Sequence, residues 1–167
     1  LVDPTEPGFV KKPARSLNGR MTQGSYIKNE SHVDTLQSAA NVGQFFLGTG
    51  MKCASCHSHF LNDEWPQARA VAFAGFFADK DMELVRCERK SGQFIQTHFM
   101  FDLPAAPTSA PSDPASRLKR VAQLITDPAN PRFARTMVNR LWKRYLGLGL
   151  FEPCDDYRED TPPSHPE

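Results

Sequence analysis

The nine residues KCASCHSHF, 52 to 60, hold Cys53, Cys56, His57 and His59, two of the four cysteines and two of the five histidines in the chain. Thiols and imidazoles at this spacing suit three chemistries. The first is covalent attachment of a c-type haem. In a CxxCH run two thiols three positions apart each form a thioether to one porphyrin edge, and the next residue gives its imidazole to the iron. The run here is Cys53-Ala54-Ser55-Cys56-His57, and the small residues at 54 and 55 leave room for the macrocycle. The second chemistry is a zinc site built from Cys53, Cys56, His59 and Cys87. Structural zinc sites usually carry a second paired knuckle, and this chain has no second CxxC and no HxxxH. The third is a redox dithiol, which expects a strand-helix-strand setting; the flanking sequence reads as helical instead.

A haem iron held by His57 has a sixth position to fill, and Met or a second His is the usual occupant in electron carriers. Met100 ranks first and His98 second. Both lie in a predicted strand, on one face by period-two counting. Met82, Met51 and His59 are further candidates, and the last two are so near the motif that ring geometry makes simultaneous ligation awkward. With none of them bound, the iron is five-coordinate and open to a small ligand. Cys87 and Cys154 are either a disulfide of an exported protein or two separate buried thiols.

The elements that must position this loop follow from periodicity. Apolar residues from Val33 to Phe46 recur near helical spacing, which predicts a helix over about 34–47 ended by Gly48 and Gly50. The motif therefore sits on a turn just after a helix. Pro66 suits a first helical position, and Trp65, Val71, Phe73, Phe76 and Phe77 make the helix here apolar and central, its aromatics able to form an apolar slot. Two β-prone runs around RKSG predict a hairpin, 83–88 with 93–101, turning at Gly92. PAAPTSAPSDP reads as a linker. Beyond it Asp113 caps a helix begun by Pro114 and running to about Thr126, and Asn130 caps a second begun by Pro131 and ended by Gly147. That last helix is expected to bury Phe133, Met137, Val138, Leu141, Trp142 and Tyr145. Its opposite face, with Arg132, Arg135, Arg140, Lys143 and Arg144, is a solvated face or a docking patch for an acidic partner or haem propionates. Asp155, Asp156, Glu159 and Asp160 read as a solvated acidic loop.

Length and charge bound the rest. The chain has 167 residues, a hydrophobic fraction of 40% and a net charge of +1. That is enough for a real core and carries no case for nucleic acid. No apolar run reaches membrane-spanning length. The opening LVDPTEPGFVKKP has no signal-peptide apolar region, and the chain stops at TPPSHPE, so it is expected to be a piece of a longer polypeptide.

Two stretches together resemble known families. FFLGTGMKCASCHSHFLNDEW with AFAGFFA resembles the planctomycete-type cytochrome c domain, whose pattern is an FLG, a CxxCH followed by x-H-x-F, and an aromatic-rich segment. DPANPRFARTMVNRLWKRYLGLGLFEPCDDYRED with PPSHPE resembles the start of its companion C-terminal domain of unknown function. The resemblance covers about 35–167. Composition and periodicity together with this resemblance give a mostly α fold: an extended arm at 1–30, rich in Pro, Gly, Lys and Asn, a cytochrome-c-like helical haem domain with a β-hairpin at 31–103, a Pro/Ala-rich linker at 104–116 and the helical start of the companion domain at 117–167. The resemblance implies haem c on Cys53, Cys56 and His57, with His59 at the family's extra histidine. It also implies an exported or periplasmic protein in which this segment does one-electron transfer or redox sensing with an undetermined redox partner, more an electron-transfer domain than an enzyme by itself.

Overall fold

A computed structural model of the protein describes residues 30–55, 57, 66–86, 89–104, 107–158 and 162–164. The predicted N-terminal arm lies outside them. The described residues are mostly helical, with one two-stranded antiparallel hairpin. In chain order they form helices α1 (Glu30–Leu47) and α2 (Gln67–Ala74), strands β1 (Met82–Arg86) and β2 (Arg89–Ile95), and helices α3 (Pro114–Thr126) and α4 (Pro131–Leu146). Among the described residues no helix is long and apolar enough to cross a membrane.

Helix α1 buries Leu36, Ala39, Ala40 and Leu47, one stripe at helical spacing. Its C-terminus turns at Gly48, whose φ of +59° is left-handed. The Thr49 N–H then bonds back to the Gly43 carbonyl at 3.1 Å. Helix α2 is buried all round from Ala70 to Ala74, as expected of the central helix. Phe73 is its hub, with ring centroids 5.5 to 6.2 Å from Phe76, Phe77 and Phe99 in edge-on contacts. A short 3-10 turn, Gly75–Phe77, continues it. Gly75 is there for space: a Cβ on it would stand 2.2 Å from the Thr97 hydroxyl oxygen.

The hairpin differs from its sequence expectation. Arg86 pairs with Arg89 and Val85 with Lys90, so the connection is the two residues 87 and 88, and Gly92 lies inside β2. The register then slips. Glu83 pairs with Phe94 and Met82 with Ile95, so three β2 residues (91–93) face the single β1 residue Leu84. This is a bulge, and Gly92 (φ +75°) supplies its left-handed backbone. Side chains hold it: Glu83 Oε1 accepts from the Gly92 N–H at 2.8 Å, and the Ser91 hydroxyl donates to the Leu84 carbonyl at 2.6 Å. The second strand therefore ends at Ile95 rather than reaching 101.

The Pro/Ala-rich segment is pinned to the fold. His98 bridges Ser109, Phe99 N–H donates to Thr108 and Ala110 N–H donates to Thr97. The buried Arg117 guanidinium donates to Pro111 O (3.0 Å), Gly75 O (3.3 Å) and Asp81 (3.3 Å). Val121, Leu124 and Ile125 of α3 join the same core as Leu36, Phe73 and Met100, so one core spans both sides of this segment.

Both later helices begin as expected. Asp113 accepts from the Ser116 N–H, and Asn130 accepts from the Arg132 N–H while donating to the Leu124 and Ile125 carbonyls. One side chain thus caps α4 and closes α3. The burial of α4 matches expectation only in part: Phe133 packs against the core and Met137 is half-buried, but the rest of the apolar stripe is not covered. Val138 and Leu141 are each 53% exposed and Tyr145 is 77% exposed, and Trp142 is exposed too. The buried side chains are Thr136 and Asn139. Asn139 grips both backbone groups of Phe151, at 2.8 and 3.1 Å. The arginines on this side stack: Arg132 lies 4.1 Å over Phe101 and Arg140 4.4 Å over Phe45. Amphipathic spacing separates two faces of a helix, and here hydrogen bonds and guanidinium stacking pack part of the polar one, while Arg135 and Arg144 stay exposed.

Candidate functional site

The loop from Gly48 to His57 follows directly from the α1 C-terminus. Met51 is buried, Lys52 and Cys53 are exposed, and the 3-10 turn Cys53–Ser55 buries Ala54 beneath it. The His57 N–H donates to the Cys53 carbonyl at 3.3 Å. This i to i+4 bond closes one helical turn, and residues four apart on such a turn share a side. Cys53 and His57, at its two ends, are both exposed residues. Cys56 and His59 lie outside the described residues, as does Cys87. Of the four residues in the zinc reading only Cys53 is described. Among the described residues no group of three or more His, Cys, Asp or Glu is gathered tightly enough to hold a metal ion.

The sixth-ligand candidates are separated by the fold. Met100 is 1% exposed, in the core. Its methyl lies 3.3 Å, and that of Met51 3.1 Å, from where a Cβ on Gly43 would stand. Two thioether side chains thus meet against one glycine of α1, one turn before the motif loop leaves it. His98 is exposed and lies beyond β2. Its Nδ1 is 2.9 Å from the Phe99 carbonyl oxygen and its Nε2 2.6 Å from the Thr108 hydroxyl, so both ring nitrogens are engaged. The expected single strand face for His98 and Met100 does not exist: one side chain is outside and the other inside. Met82 is buried in β1, paired with Ile95. Cys154 is half-buried with a free thiol, and its suggested disulfide partner lies outside the described residues.

The acidic stretch expected to be a solvated loop is bound to the motif loop in its described part. The Gly50 N–H donates to Asp156 Oδ1 (3.1 Å), and the Tyr157 N–H donates to the Gly48 carbonyl (2.7 Å). Asp155 accepts from Gln44 Nε2 at 3.1 Å and stands 3.9 Å from Arg140. Gln44, Gly50, Asp156 and Tyr157 were not legible as a unit, because 106 residues separate Gly50 from Asp156. The glycine-rich GTG before the motif was the one local signal of a close approach. A cavity of about 20 Å³ between Leu47, Thr136, Phe151, Cys154 and Tyr157 has room for a water, not for a flat macrocycle.

Electrostatics beside this loop are local. The Lys143 ammonium, 2.8 Å away, holds the Glu152 carboxyl below its usual range, and Glu152 in turn raises Lys143. Glu152 also accepts the Gly149 N–H, which fixes the chain just before Asp155 and Asp156.

Residues 5–82 match the family model described as PSCyt2, protein of unknown function (DUF1549), and residues 117–167 match PSD1, protein of unknown function (DUF1553). Both are planctomycete-associated domains of unknown function. No curated protein and no solved structure matches the chain.

Proposed function

We propose that this chain carries a covalently attached c-type haem on Cys53, Cys56 and His57 and serves one-electron transfer or redox sensing within a longer, exported polypeptide. The observation that carries this reading is that Cys53 and His57 are both exposed residues at the two ends of one turn, closed by the 3.3 Å bond from the His57 N–H to the Cys53 carbonyl. Cys53 would hold the ring by a thioether and His57 would give its imidazole to the iron. When bound, the haem supplies reversible one-electron chemistry at a potential set by axial ligation and burial. Ala54, between the two, is buried in the core.

Met100 remains the first candidate for the second axial position. Its thioether lies with that of Met51 under the α1 turn from which the motif loop departs. His98 ranks second, because Phe99 and Thr108 occupy its ring nitrogens. The test is expression with the cytochrome c maturation machinery, followed by a reduced-minus-oxidised spectrum. A c-type haem spectrum that persists in denaturant is expected. A colourless product with free thiols at Cys53 and Cys56 overturns the proposal. Stoichiometric zinc on that product would point to the zinc module instead, and turnover with peroxide would point to a haem enzyme with an open position.

A further inference from the structure

We infer that Asp156 is a positioning residue for the Cys53–His57 turn, acting through a clamp formed by residues 155–158 on the loop that enters it. Its functional meaning rests on the haem proposal; the clamp itself does not. The loop leaves α1 at Gly48 and reaches Cys53 five residues later. Within it the carbonyl of Gly48 and the N–H of Gly50 both bond to the same short tail segment, to the Tyr157 N–H at 2.7 Å and to Asp156 Oδ1 at 3.1 Å. The pairing is bridge-like, two consecutive tail residues serving two loop residues.

The carboxylate is itself held. Arg158 donates to Asp156 Oδ2 from Nη2 at 2.7 Å and from Nε at 3.1 Å. That leaves Oδ1 aimed at Gly50, and a charge-assisted bond to a backbone N–H is stronger than a neutral one. Both loop glycines sit where a neighbour comes close, Gly50 against the clamp and Gly48 against α4. A Cβ on Gly50 would stand 3.0 Å from Asp156 Oδ1 and 3.2 Å from its Cγ, so the carboxylate fills the space a side chain would take. A Cβ on Gly48 would stand 2.8 Å from the Thr136 hydroxyl of α4. One residue before Asp156, Asp155 is tied to Gln44 and Arg140, which anchors the clamp to α1 and α4 together. Only Met51 and Lys52 separate Gly50 from Cys53, a tether of at most about 11 Å between Cα atoms. A clamp that fixes Gly50 therefore limits where the turn can point.

The experiment is native-state amide exchange on the full chain in its haem-free thiol form, comparing wild type with Asp156→Ala and Asp156→Asn. Losing a hydrogen bond to a charged group is expected to speed exchange at Gly50 and at His57 by about tenfold or more, with the α3 amides of Leu124 and Ile125 unchanged. Asp156→Asn, whose Oδ1 still accepts from Gly50, is expected to restore most of the protection. Gly50→Ala, which displaces the carboxylate from the other side, should reproduce the Asp156→Ala pattern. A wild-type His57 rate in both Asp156→Ala and Gly50→Ala overturns the inference, as does a uniform rise across all helices. A missing haem spectrum would sink the haem proposal and leave this result standing.

Discussion

Met100 offers the sharpest division between a packing role and an axial one. It is 1% exposed, belongs to the main core, and its methyl rests against Gly43 of α1. Truncation to Ala removes Cγ, Sδ and Cε. Three buried heavy atoms at about 0.8 kcal/mol each lose roughly 2.4 kcal/mol of transfer free energy. The rigid surroundings add a cavity term, so about 2–5 kcal/mol is expected. At about 2–4 °C per kcal/mol for a chain of this size, that lowers Tm by roughly 4–20 °C. Met100→Leu conserves volume and is expected to cost less than about 1.5 kcal/mol. Thermal unfolding of the haem-free chain, followed by far-UV circular dichroism, measures both. A Met100→Ala protein within about 0.5 kcal/mol of wild type would refute the core assignment, because a surface site is what gives changes that small. In the haem-loaded protein Met100→Leu keeps the packing and removes the thioether. A shifted spectrum and a lowered potential then assign Met100 to the iron; an unchanged spectrum assigns it to the core alone.

Gly75→Ala would place a Cβ at 2.2 Å from the Thr97 hydroxyl oxygen and at 3.0 Å from two more Thr97 atoms. Overpacking of this kind is expected to cost about 1–3 kcal/mol in chemical denaturation, and Thr97→Ala in the same chain should relieve most of it. Replacing Val138, Leu141 and Tyr145 together by Gln or Ser is expected to leave thermal stability within about 1 kcal/mol of wild type, since single substitutions at exposed positions usually fall within about 0.5 kcal/mol. A loss of several kcal/mol there would show that the face is packed after all. Asp113 titrates below the ordinary carboxylate range because the Ser116 hydroxyl and then the Ser116 N–H bond to its charged form. With the folded value depressed, its stabilisation is present above the unfolded value and is lost as pH falls through the lowered folded one. A carboxyl-carbon NMR titration should place its midpoint below that of an unbonded Asp, and an ordinary midpoint would remove the cap.

The helices were legible because their signals are local. Asp113-Pro114 and Asn130-Pro131 state where α3 and α4 start, and Gly147 (φ +87°) where α4 stops, through chemistry within one turn. The apolar run from Ala70 to Phe77 announced a central helix in the same way. The hairpin was legible in kind and wrong in detail: Gly92 reads as a turn, yet it serves a bulge. Residue type names the left-handed backbone, and the partner strand decides which irregularity uses it.

The CxxCH spacing, the helix caps and the two-faced pattern of α4 belong to the sequence alone, since each depends on residues within a few positions of one another. Which face of α4 is covered was a tertiary matter. Thr136 lies against Gly48 and the stacked arginines lie over Phe45 and Phe101, all far away along the chain, and Asn139 grips Phe151 beyond the end of the helix. The same holds for the split between buried Met100 and exposed His98, and for Asp156 meeting Gly50 across 106 residues. Contacts of that separation depend on chain closure and shape complementarity, which no short window of residues encodes.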